Sequence, residues 1–495
     1  MRMILVTGAT GYIGGRLVPQ LLEKGYRVRC LAREPRKLAG RGWDERAEVV
    51  AGDVLDPDSL RRALVGCGAA YYLVHSMAAG ERSFEGRDRA AARNFARSAA
   101  EAGLRRVLYL GGLGKRSERL SAHLSSRHEV GDVLRDGPVP ITELRAAMIL
   151  GSGSASFEMM RALVARLPVM ICPRWVKTRS QPIAIRDVLA YLIGCLESPA
   201  TAGQTFDIGG PEVLTYEQMM HRFARVLGLR RRIFVVPVLT PRLSAYWANL
   251  VTPIPAAVAF PLIEGLRAEM ICEDDRLRAL VPLDLIGFDE AVRLALAKIE
   301  RRDVETRWTN ADLPGRGSAA GRTDVAPDEF PIRDEQRVAC DAPAEALFDR
   351  VRRVGGDVGC YYADGLWRIR GLMDRLIGGV GLRRGRRDPV SVRIGDAIDF
   401  WRVMDVVPGR RLLLHAEMQV PGDAWLEFVV RPLGRHRSEL VQTAYFRPVP
   451  LWGRLYWNVL YPIHRAIFRG MARKIARAAE ATDRPARADR MASSP

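Results

Sequence analysis

Three glycines near the beginning of the chain, Gly8, Gly11 and Gly14, recur at intervals of three residues. An apolar, strand-like run precedes them, and an amphipathic, helix-like run follows. Glycine here permits a tight turn, close approach of the backbone to a pyrophosphate and close packing of helix on sheet, with helix amides facing the phosphates. The pattern predicts a dinucleotide site at Thr7, Gly8, Thr10, Gly11, Tyr12, Ile13 and Gly14.

The residues after the second and third predicted strands indicate which dinucleotide binds. A site that prefers NAD usually carries Asp or Glu about 20 residues beyond the glycines, whereas this chain has Arg33. A guanidinium can pair with a 2′-phosphate, so NADP(H) is favoured over NAD(H). Asp53 and Val54 follow the third strand, where Asp53 either accepts a hydrogen bond from adenine or caps a turn.

The segments that position these residues alternate between strand-like and helix-like patterns up to about residue 220. This alternation predicts an α/β fold, a doubly wound parallel Rossmann sheet with helices on both faces. Residues 152–200 and 212–300 are expected to add a small, mainly helical lobe, so that the first domain covers residues 1–302. The expected strands are Met3–Thr7, Arg27–Ala32, Glu48–Ala51, Ala69–Val74, Arg106–Gly111, Ile141–Arg145 and Gln204–Ile208.

Several motifs of this domain occur in the order found in a known family. The glycine run, the Gly-Asp-Val-Leu-Asp run at Gly52–Asp56 and the Tyr71–Met77 run resemble the extended short-chain dehydrogenase/reductases, in particular their atypical members. A more distant similarity is to the cofactor-binding accessory subunit of respiratory complex I. The resemblance covers about the first 300 residues and implies an NAD(P)-binding oxidoreductase.

The catalytic pair that is usual in that family is missing. It is Tyr-x-x-x-Lys, in which the ammonium lowers the pKa of the phenol for proton transfer, and this chain contains no such motif. The corresponding positions hold His123 and Arg127, and Gly111-Gly112 replaces the usual serine. His123 could act as a general acid at neutral pH while Arg127 holds the ribose or a carboxylate. Alternatively, His123 is an ordinary polar helix residue, which leaves catalysis itself open.

Three further residues are candidate site residues. His75 follows the fourth predicted strand, where the carboxyl edge of the sheet faces the nicotinamide half of the site, and it either lines that site or caps a loop. Arg174 and Gln181 lie in the lobe, which closes over the substrate in extended members of the family. The resemblance therefore implies that Arg174 and Gln181 contact the substrate.

The composition changes after residue 302. Residues 303–330 are rich in Gly and Pro without apolar periodicity, which predicts a linker. Residues 331–482 are expected to form a second domain with Trp367 on its sheet and a helix from Trp452 to Glu480, followed by a disordered tail at residues 483–495. The expected strands are Arg337–Cys340, Val390–Ile394, Ala397–Val406, Arg411–Val420, Ala424–Arg431 and Glu439–Arg447.

An antiparallel meander around one long C-terminal helix is an α+β helix-grip arrangement. Such domains commonly enclose an apolar cavity. The pattern resembles the START-like, Bet v1-like fold, and the resemblance implies a lipid-like ligand for the second domain.

The composition bears on partners and compartment. The net charge of +19 comes from arginines spread along the whole chain, whereas nucleic-acid binders concentrate charge in a patch, so no nucleic acid is expected. The seven cysteines are scattered without a Cys-x-x-Cys pair, which favours reduced thiols in a cytoplasmic protein and no metal site.

One uncharged run, Leu243–Ile263, is long enough to cross a bilayer. Pro253, Pro255 and Pro261 interrupt it, so two short apolar helices that meet at the prolines are expected instead. Peripheral membrane contact is left open.

The leading hypothesis is an atypical NADP(H)-binding reductase that acts on an apolar, isoprenoid- or quinone-like molecule. One alternative is a protein that binds or senses NADP(H) without turnover, which the missing Tyr-Lys pair supports. Another is a membrane-associated assembly factor, which the Leu243–Ile263 run and the complex I similarity support. The sequence does not settle the oligomeric state.

Overall fold

A computed structural model of the chain comprises two compact units, Met1–Gly317 and Ser318–Pro495. The residues that the structure describes are 3–74, 84–114, 121–236, 241–301, 303–310, 330–377, 379–382, 386–449 and 451–492.

The first unit is built on seven parallel strands in the order β11-β6-β5-β4-β1-β2-β3. The strand β1 pairs with β2 on one side and with β4 on the other, so the strand order reverses between β1 and β4. Ligands of open α/β sheets bind at such a switch point. The strands of this unit are β1 (Met3–Thr7), β2 (Val28–Ala32), β3 (Glu48–Ala51), β4 (Cys67–Tyr72), β5 (Arg106–Gly112), β6 (Ile141–Ala146), β7 (Ile149–Leu150), β8 (Val169–Pro173), β9 (Arg179–Ser180), β10 (Ile183–Ala184), β11 (Thr205–Ile208), β12 (Leu214–Thr215) and β13 (Arg232–Val236).

Helices cover both faces of this sheet. Alternate residues of β1 enter different cores: Ile4 and Val6 join one, and Met3 and Leu5 join the other. This is why the central strands are continuous apolar runs, as in other sheets covered on both sides. The helices are α1 (Gly14–Glu23), α2 (Pro57–Leu64), α3 (Phe84–Glu101), α4 (Ala122–Arg135), α5 (Ala155–Arg166), α6 (Ile185–Glu197), α7 (Tyr216–Val226), α8 (Pro241–Val251), α9 (Ala256–Gly265), α10 (Arg276–Leu280) and α11 (Phe288–Glu300).

The structure confirms the doubly wound parallel sheet and the seven strands expected in it. The uncharged run forms two short helices, α8 and α9, separated by residues that include Pro253 and Pro255. Pro261, which was also expected to interrupt the run, lies inside α9. Proline lacks a backbone N–H and disfavours a helical conformation in the preceding residue, which explains the break. Within the described parts of the chain, no helix is both long and apolar enough to cross a membrane.

The first unit extends into the segment predicted as a linker. Val304, Thr306 and Trp308 are buried, and the Trp308 amide donates to the Gly153 carbonyl at 2.8 Å. Residues 311–329 of the predicted linker lie outside the described residues.

The second unit contains an antiparallel sheet in the order β14-β19-β18-β17-β16-β15. Its last helix packs on this sheet: Gln442 Nε2 donates to the Phe468 carbonyl at 3.3 Å, and Ile467, Met471 and Ile475 are buried. The elements are β14 (Ile332–Cys340), α12 (Ala344–Val351), α13 (Asp364–Leu376), β15 (Ala397–Ile398), β16 (Trp401–Val407), β17 (Arg411–Ala416), β18 (Gly422–Gly434), β19 (Arg437–Pro448) and α14 (Trp452–Ala492).

The antiparallel domain is confirmed, with local differences from the sequence analysis. The expected strand Ala397–Val406 is divided into β15 and β16, which pair with each other around a turn at Asp399 and Phe400. Trp367 lies in α13 and not on the sheet. The expected strand Val390–Ile394 is irregular, because Asp388 Oδ1 accepts from the amides of Val390 and Ser391 and so competes with strand pairing. Helix α14 continues to Ala492, so the tail predicted from residue 483 is helical up to there, as its many alanines and arginines favour. The START-like resemblance stays a prediction.

Candidate functional site

The glycine loop at the carboxyl end of β1 has room for glycine only. Gly8 has a φ of +72°, and a Cβ there would lie 2.6 Å from the Leu73 carbonyl oxygen. A Cβ on Gly14 would lie 2.4 Å from the Gly8 carbonyl oxygen. The loop therefore turns tightly beside β4 and brings the beginning of α1 against its own backbone.

The loop leads directly into α1. The Gly11 amide donates to the Gly8 carbonyl at 2.9 Å, and the Leu17 amide donates to the Ile13 carbonyl at 2.9 Å. Within the described residues, no side chain caps the helix at Ile13. Uncapped amides at a helix N-terminus, next to a glycine turn, are the groups that hold phosphates in dinucleotide sites.

Two predicted residues of the loop, Thr7 and Tyr12, have structural roles. The Thr7 hydroxyl donates to the Tyr71 carbonyl at 3.1 Å and accepts from the Leu73 amide at 3.2 Å, so it joins β1 to β4. The Tyr12 phenol is buried beside Gly151, and burial raises its pKa to about 12. Tyr12 is therefore a wall of the site and is unsuited to give up a proton.

A segment near the end of the first unit lies against this loop. Arg16 is buried and donates to the Ser152 carbonyl at 2.7 Å and, through Nε, to Thr306 Oγ1 at 3.0 Å. The Thr306 hydroxyl in turn donates to the Tyr12 carbonyl at 2.9 Å. Sequence reasoning missed Arg16 and Thr306, because 290 residues separate them and neither belongs to a motif.

Basic side chains gather at the carboxyl end of β2. Arg33 directly follows the strand and is exposed. The Glu34 carboxylate beside it is largely buried and forms an ion pair with Lys37 at 3.1 Å. Arg41, which the sequence analysis did not identify, donates to the Thr10 carbonyl at 3.3 Å. The guanidinium of Arg41 thus contacts the glycine loop itself, and Glu34 is neutralised.

The Asp53 side chain caps a turn, which is one of the two roles that the sequence allowed for it. Its Oδ1 accepts from the Leu55 amide at 3.0 Å, and its own amide donates to Ser59 Oγ at 3.0 Å. The neighbouring Val54 is buried. These contacts fix the loop after β3, at the same edge of the sheet as the glycine loop.

His123 and Arg127 lie one turn apart on α4, next to the end of β5. Ser121 caps the helix by accepting from the Leu124 amide. Arg127 Nη2 donates to the Leu110 carbonyl of β5, and the Tyr109 hydroxyl donates to the Arg127 carbonyl at 3.0 Å. The structure therefore brings His123 and Arg127 together on the β5 side of the switch point.

The environment of His123 restricts its chemistry. Burial, and then the nearby Arg127 guanidinium, lower the pKa of His123 from 6.5 to about 3. At neutral pH the side chain is a neutral imidazole that can donate a hydrogen bond through its ring N–H. Because a neutral imidazole lacks the extra proton of an imidazolium, the lowered pKa disfavours the general-acid role, one of the two roles left open for His123.

The buried carboxylate of Glu143 occupies the space beside Gly111, one of the two glycines that replace the usual serine. A Cβ on Gly111 would lie 3.0 Å from Glu143 Oε1, and a Cβ on Gly112 would lie 2.8 Å from Leu124 Cδ2. Glu143 is held by Arg145 at 3.0 Å and by Arg135. Neither glycine position has space for a serine unless its neighbours move, so this site has no second hydroxyl donor there.

Apolar side chains lie beside His123. Leu113, Leu124 and Met270 form a buried cluster at the end of β5 and the beginning of α4. Ala147 and Cys272 pack against it. The sheet therefore has an apolar cluster beside the end of β5.

The other predicted site residues, Gln181, Arg174 and His75, are not among the residues described above. The Gln181 amide donates to the Gly210 carbonyl at 2.8 Å and accepts from the Cys272 amide at 3.0 Å, so it holds the lobe together. It also lines a polar cavity of about 340 Å³ with Asp207 and Arg278. Arg174 is exposed, and His75 lies outside the described residues.

Both units are similar to known families. Residues 8–148 match a family described as NAD(P)H-binding. Residues 326–471 match a family described as a protein of unknown function (DUF2867).

Curated relatives match the first unit. A (4-alkanoyl-5-oxo-2,5-dihydrofuran-3-yl)methyl phosphate reductase of Streptomyces griseus is 30% identical over 265 residues, which are 52% of this chain and 84% of that protein. A ceramide reductase of Caulobacter vibrioides is 29% identical, over 48% of this chain and 74% of that protein. The mitochondrial NADH dehydrogenase (ubiquinone) 1 alpha subcomplex subunit 9 of Arabidopsis thaliana is 24% identical, over 57% of this chain and 75% of that protein.

Proposed function

The chain belongs to the NAD(P)H-binding reductases of the short-chain dehydrogenase/reductase type, and from this premise we propose that its first unit is an NADP(H)-dependent reductase of an apolar acceptor. The observation that carries the proposal is the glycine loop, where a Cβ on Gly8 or Gly14 would meet backbone within 2.6 Å. That loop leads into an uncapped helix N-terminus at the switch point of the sheet.

The residues around the loop fit NADP(H). The amides from Tyr12 to Gly14 would hold the pyrophosphate, and Arg33 would hold the 2′-phosphate. Glu34 does not oppose this assignment, because its carboxylate is paired with Lys37. Val54 and the turn at Asp53 would border the adenine. The bound dinucleotide would supply a hydride.

The acceptor is proposed to be apolar, with an isoprenoid- or quinone-like character. The cluster of Leu113, Leu124 and Met270 gives it an apolar wall. Two relatives are named as reductases of a lipid, ceramide, and of an alkanoyl-furanone phosphate. A carbonyl or conjugated enone in such a molecule is a group that hydride transfer can reduce.

The residues beside the acceptor would stabilise charge and leave proton delivery to solvent. Burial raises the pKa of Tyr109 to about 12, and its hydroxyl is committed to the Arg127 carbonyl. Neutral His123 can donate its ring N–H to an oxygen that gains negative charge. The permanently charged Arg127 lies close enough to strengthen that effect, and water would then supply the proton.

The test is turnover. The purified chain is mixed with NADPH and a panel of quinones and enones, and loss of the nicotinamide absorbance is followed. We expect oxidation with apolar members of the panel and none without an acceptor. Tight binding of NADPH without oxidation across the panel would overturn the reductase proposal.

A second function, binding of NADP(H) without turnover, is favoured by one observation. The serine position is filled by Gly111 and Gly112, which Glu143 and Leu124 keep free of side chains. The same panel separates the two functions, because a sensor would retain NADPH unchanged in the presence of every acceptor.

A further inference from the structure

One side of helix α13 of the second unit is exposed and apolar, and its buried side includes two charged residues. Asp374 is fully buried and accepts from the Gly381 amide at 2.8 Å, and Arg375 is buried beside it in the helix. The opposite face carries large apolar side chains with 49% to 64% of their surface exposed. They are Leu366, Ile369, Leu372, Met373, Leu376 and, directly after the helix, Ile377.

This arrangement is the reverse of an ordinary surface helix, which directs its apolar stripe to the core. A contiguous apolar face on a protein surface marks an interaction site, whereas single exposed apolar residues need no explanation. The face of α13 is therefore a candidate docking surface.

The first turns of α14 have the same character. Trp452, Leu455, Val459 and Ile463 are each 49% to 70% exposed. Their spacing of three and four residues places them on one side of the helix. The side that faces the sheet is filled by other residues, such as Trp457.

The two helices are neighbours within the second unit. The rings of Trp367 on α13 and Phe468 on α14 lie 6.5 Å apart. A Cβ on Gly470 would lie 2.5 Å from the ring of Tyr362, just before α13. The apolar residues of α13 and α14 named above are called the apolar helix face below.

The charge around the apolar helix face is positive. Between residues 452 and 479 the sequence contains no Asp or Glu. The exposed side chains of this stretch include the basic residues Arg454, Arg465, Arg469 and Arg473. On α13, Arg368 is exposed as well.

We propose that the apolar helix face binds the surface of a bilayer that contains anionic lipids. Helices that lie in a membrane interface combine Trp and aliphatic residues on one face with Arg or Lys around it. The apolar side chains enter the headgroup region while the arginines pair with lipid phosphates. This binding is peripheral, and it is independent of the proposed reductase activity of the first unit.

The test is co-sedimentation of the full chain with vesicles. One set contains phosphatidylcholine alone, and the other contains phosphatidylcholine with phosphatidylglycerol. We expect binding to the second set that weakens with added salt, because the lipid charge is then screened. We expect the double variant Ile369→Glu/Leu376→Glu to bind the anionic vesicles at least about tenfold more weakly than the parent chain.

The matched control is Leu433→Glu. Leu433 lies in the same unit, is 56% exposed and lies outside the apolar helix face, so its replacement should leave vesicle binding unchanged. Thermal unfolding of all variants checks that each is folded. We expect this because the substituted side chains are exposed. Oxidation of NADPH by a water-soluble enone should be the same in all of them.

Three results would overturn the proposal. The chain does not sediment with anionic vesicles, or the double variant binds as well as the parent. In the third, light scattering shows that the parent chain is a dimer and the double variant a monomer, and neither binds vesicles. The apolar helix face would then be an interface between two copies of the chain.

Discussion

The two sides of the switch point in the first unit differ in how closely they keep the pattern of a dinucleotide-dependent reductase. On the β1–β2 side, the glycine loop is so tight that Gly8 and Gly14 admit no Cβ. On the β5–α4 side, glycines replace the serine, and His123 and Arg127 stand in place of the tyrosine and lysine.

The difference indicates that the two sides of the sheet serve separate tasks, dinucleotide binding on one side and proton transfer on the other. The β1–β2 side uses backbone amides, which any sequence with the right glycines supplies. The β5–α4 side needs side chains with suitable pKa values, and burial moves those of His123 and Tyr109 away from neutrality. Changes on the two sides should therefore have different effects.

His123→Ala should have the largest effect, and on turnover only. Loss of one hydrogen-bond donor to a developing oxyanion lowers kcat by about 100-fold or more, while the affinity for NADPH should remain. His123→Gln keeps an N–H donor and should retain part of the rate. Unchanged turnover in His123→Ala would remove this residue from the proposed mechanism.

Gly14→Ala should weaken NADPH binding. Its Cβ would lie 2.4 Å from the Gly8 carbonyl oxygen, and such overpacking costs about 1–3 kcal/mol, which corresponds to roughly 5- to 150-fold in affinity. Calorimetric titration measures the loss. Gly86→Ala is the control, because its Cβ would meet nothing within 4 Å; equal losses in both would contradict the role of the loop.

Arg33→Ala should lower the affinity for NADPH by about tenfold and leave that for NADH nearly unchanged, since only NADPH offers a 2′-phosphate. Arg27→Ala is the matched control: Arg27 is exposed and precedes β2 at its other end. Parallel titrations with both dinucleotides measure the ratio. If Arg33→Ala leaves the ratio of the NADPH and NADH affinities unchanged, another residue must bind the 2′-phosphate.

Thr7→Val should destabilise the first unit by about 1–3 kcal/mol, because it leaves the partly buried Leu73 amide without its hydroxyl acceptor. Thr7→Ser keeps the hydroxyl and should cost less. Thermal unfolding compares them. A Thr7→Val variant as stable as the parent would show that this bridge between β1 and β4 is dispensable.

The smallest effect concerns pH. The pKa of His123 is lowered to about 3 in the folded chain, so the unfolded chain binds the proton more readily between pH 3 and the ordinary value of 6.5. Stability from this group is present above about pH 6.5 and is lost on acidification. His123→Gln should lose less of its melting temperature than the parent between about pH 7 and pH 5; an equal loss would contradict the shift.

The sequence predicts the parts of the site that depend on local pattern. The glycine spacing, the alternation of strands and helices and the proline break at Pro253 and Pro255 each act over a few residues, so they are visible without a structure. The position of Arg33 after β2 is visible for the same reason.

Other parts depend on residues that are distant in the chain. Arg16 meets Thr306 across 290 residues, and Glu143 fills the space beside Gly111, without a motif in either case. Trp367 was wrongly expected on the sheet, whereas it lies in a helix whose exposed side is apolar and whose buried side includes Asp374 and Arg375. A pattern rule that assumes a buried apolar face cannot recognise such a helix.

The central claim is that the glycine loop and Arg33 form an NADP(H) site. The most direct measurement is calorimetric titration of the whole, unmodified chain with NADPH and, in parallel, with NADH. The account predicts that both bind at one site and that NADPH binds at least about tenfold more tightly. Absence of binding, or tighter binding of NADH, would contradict it.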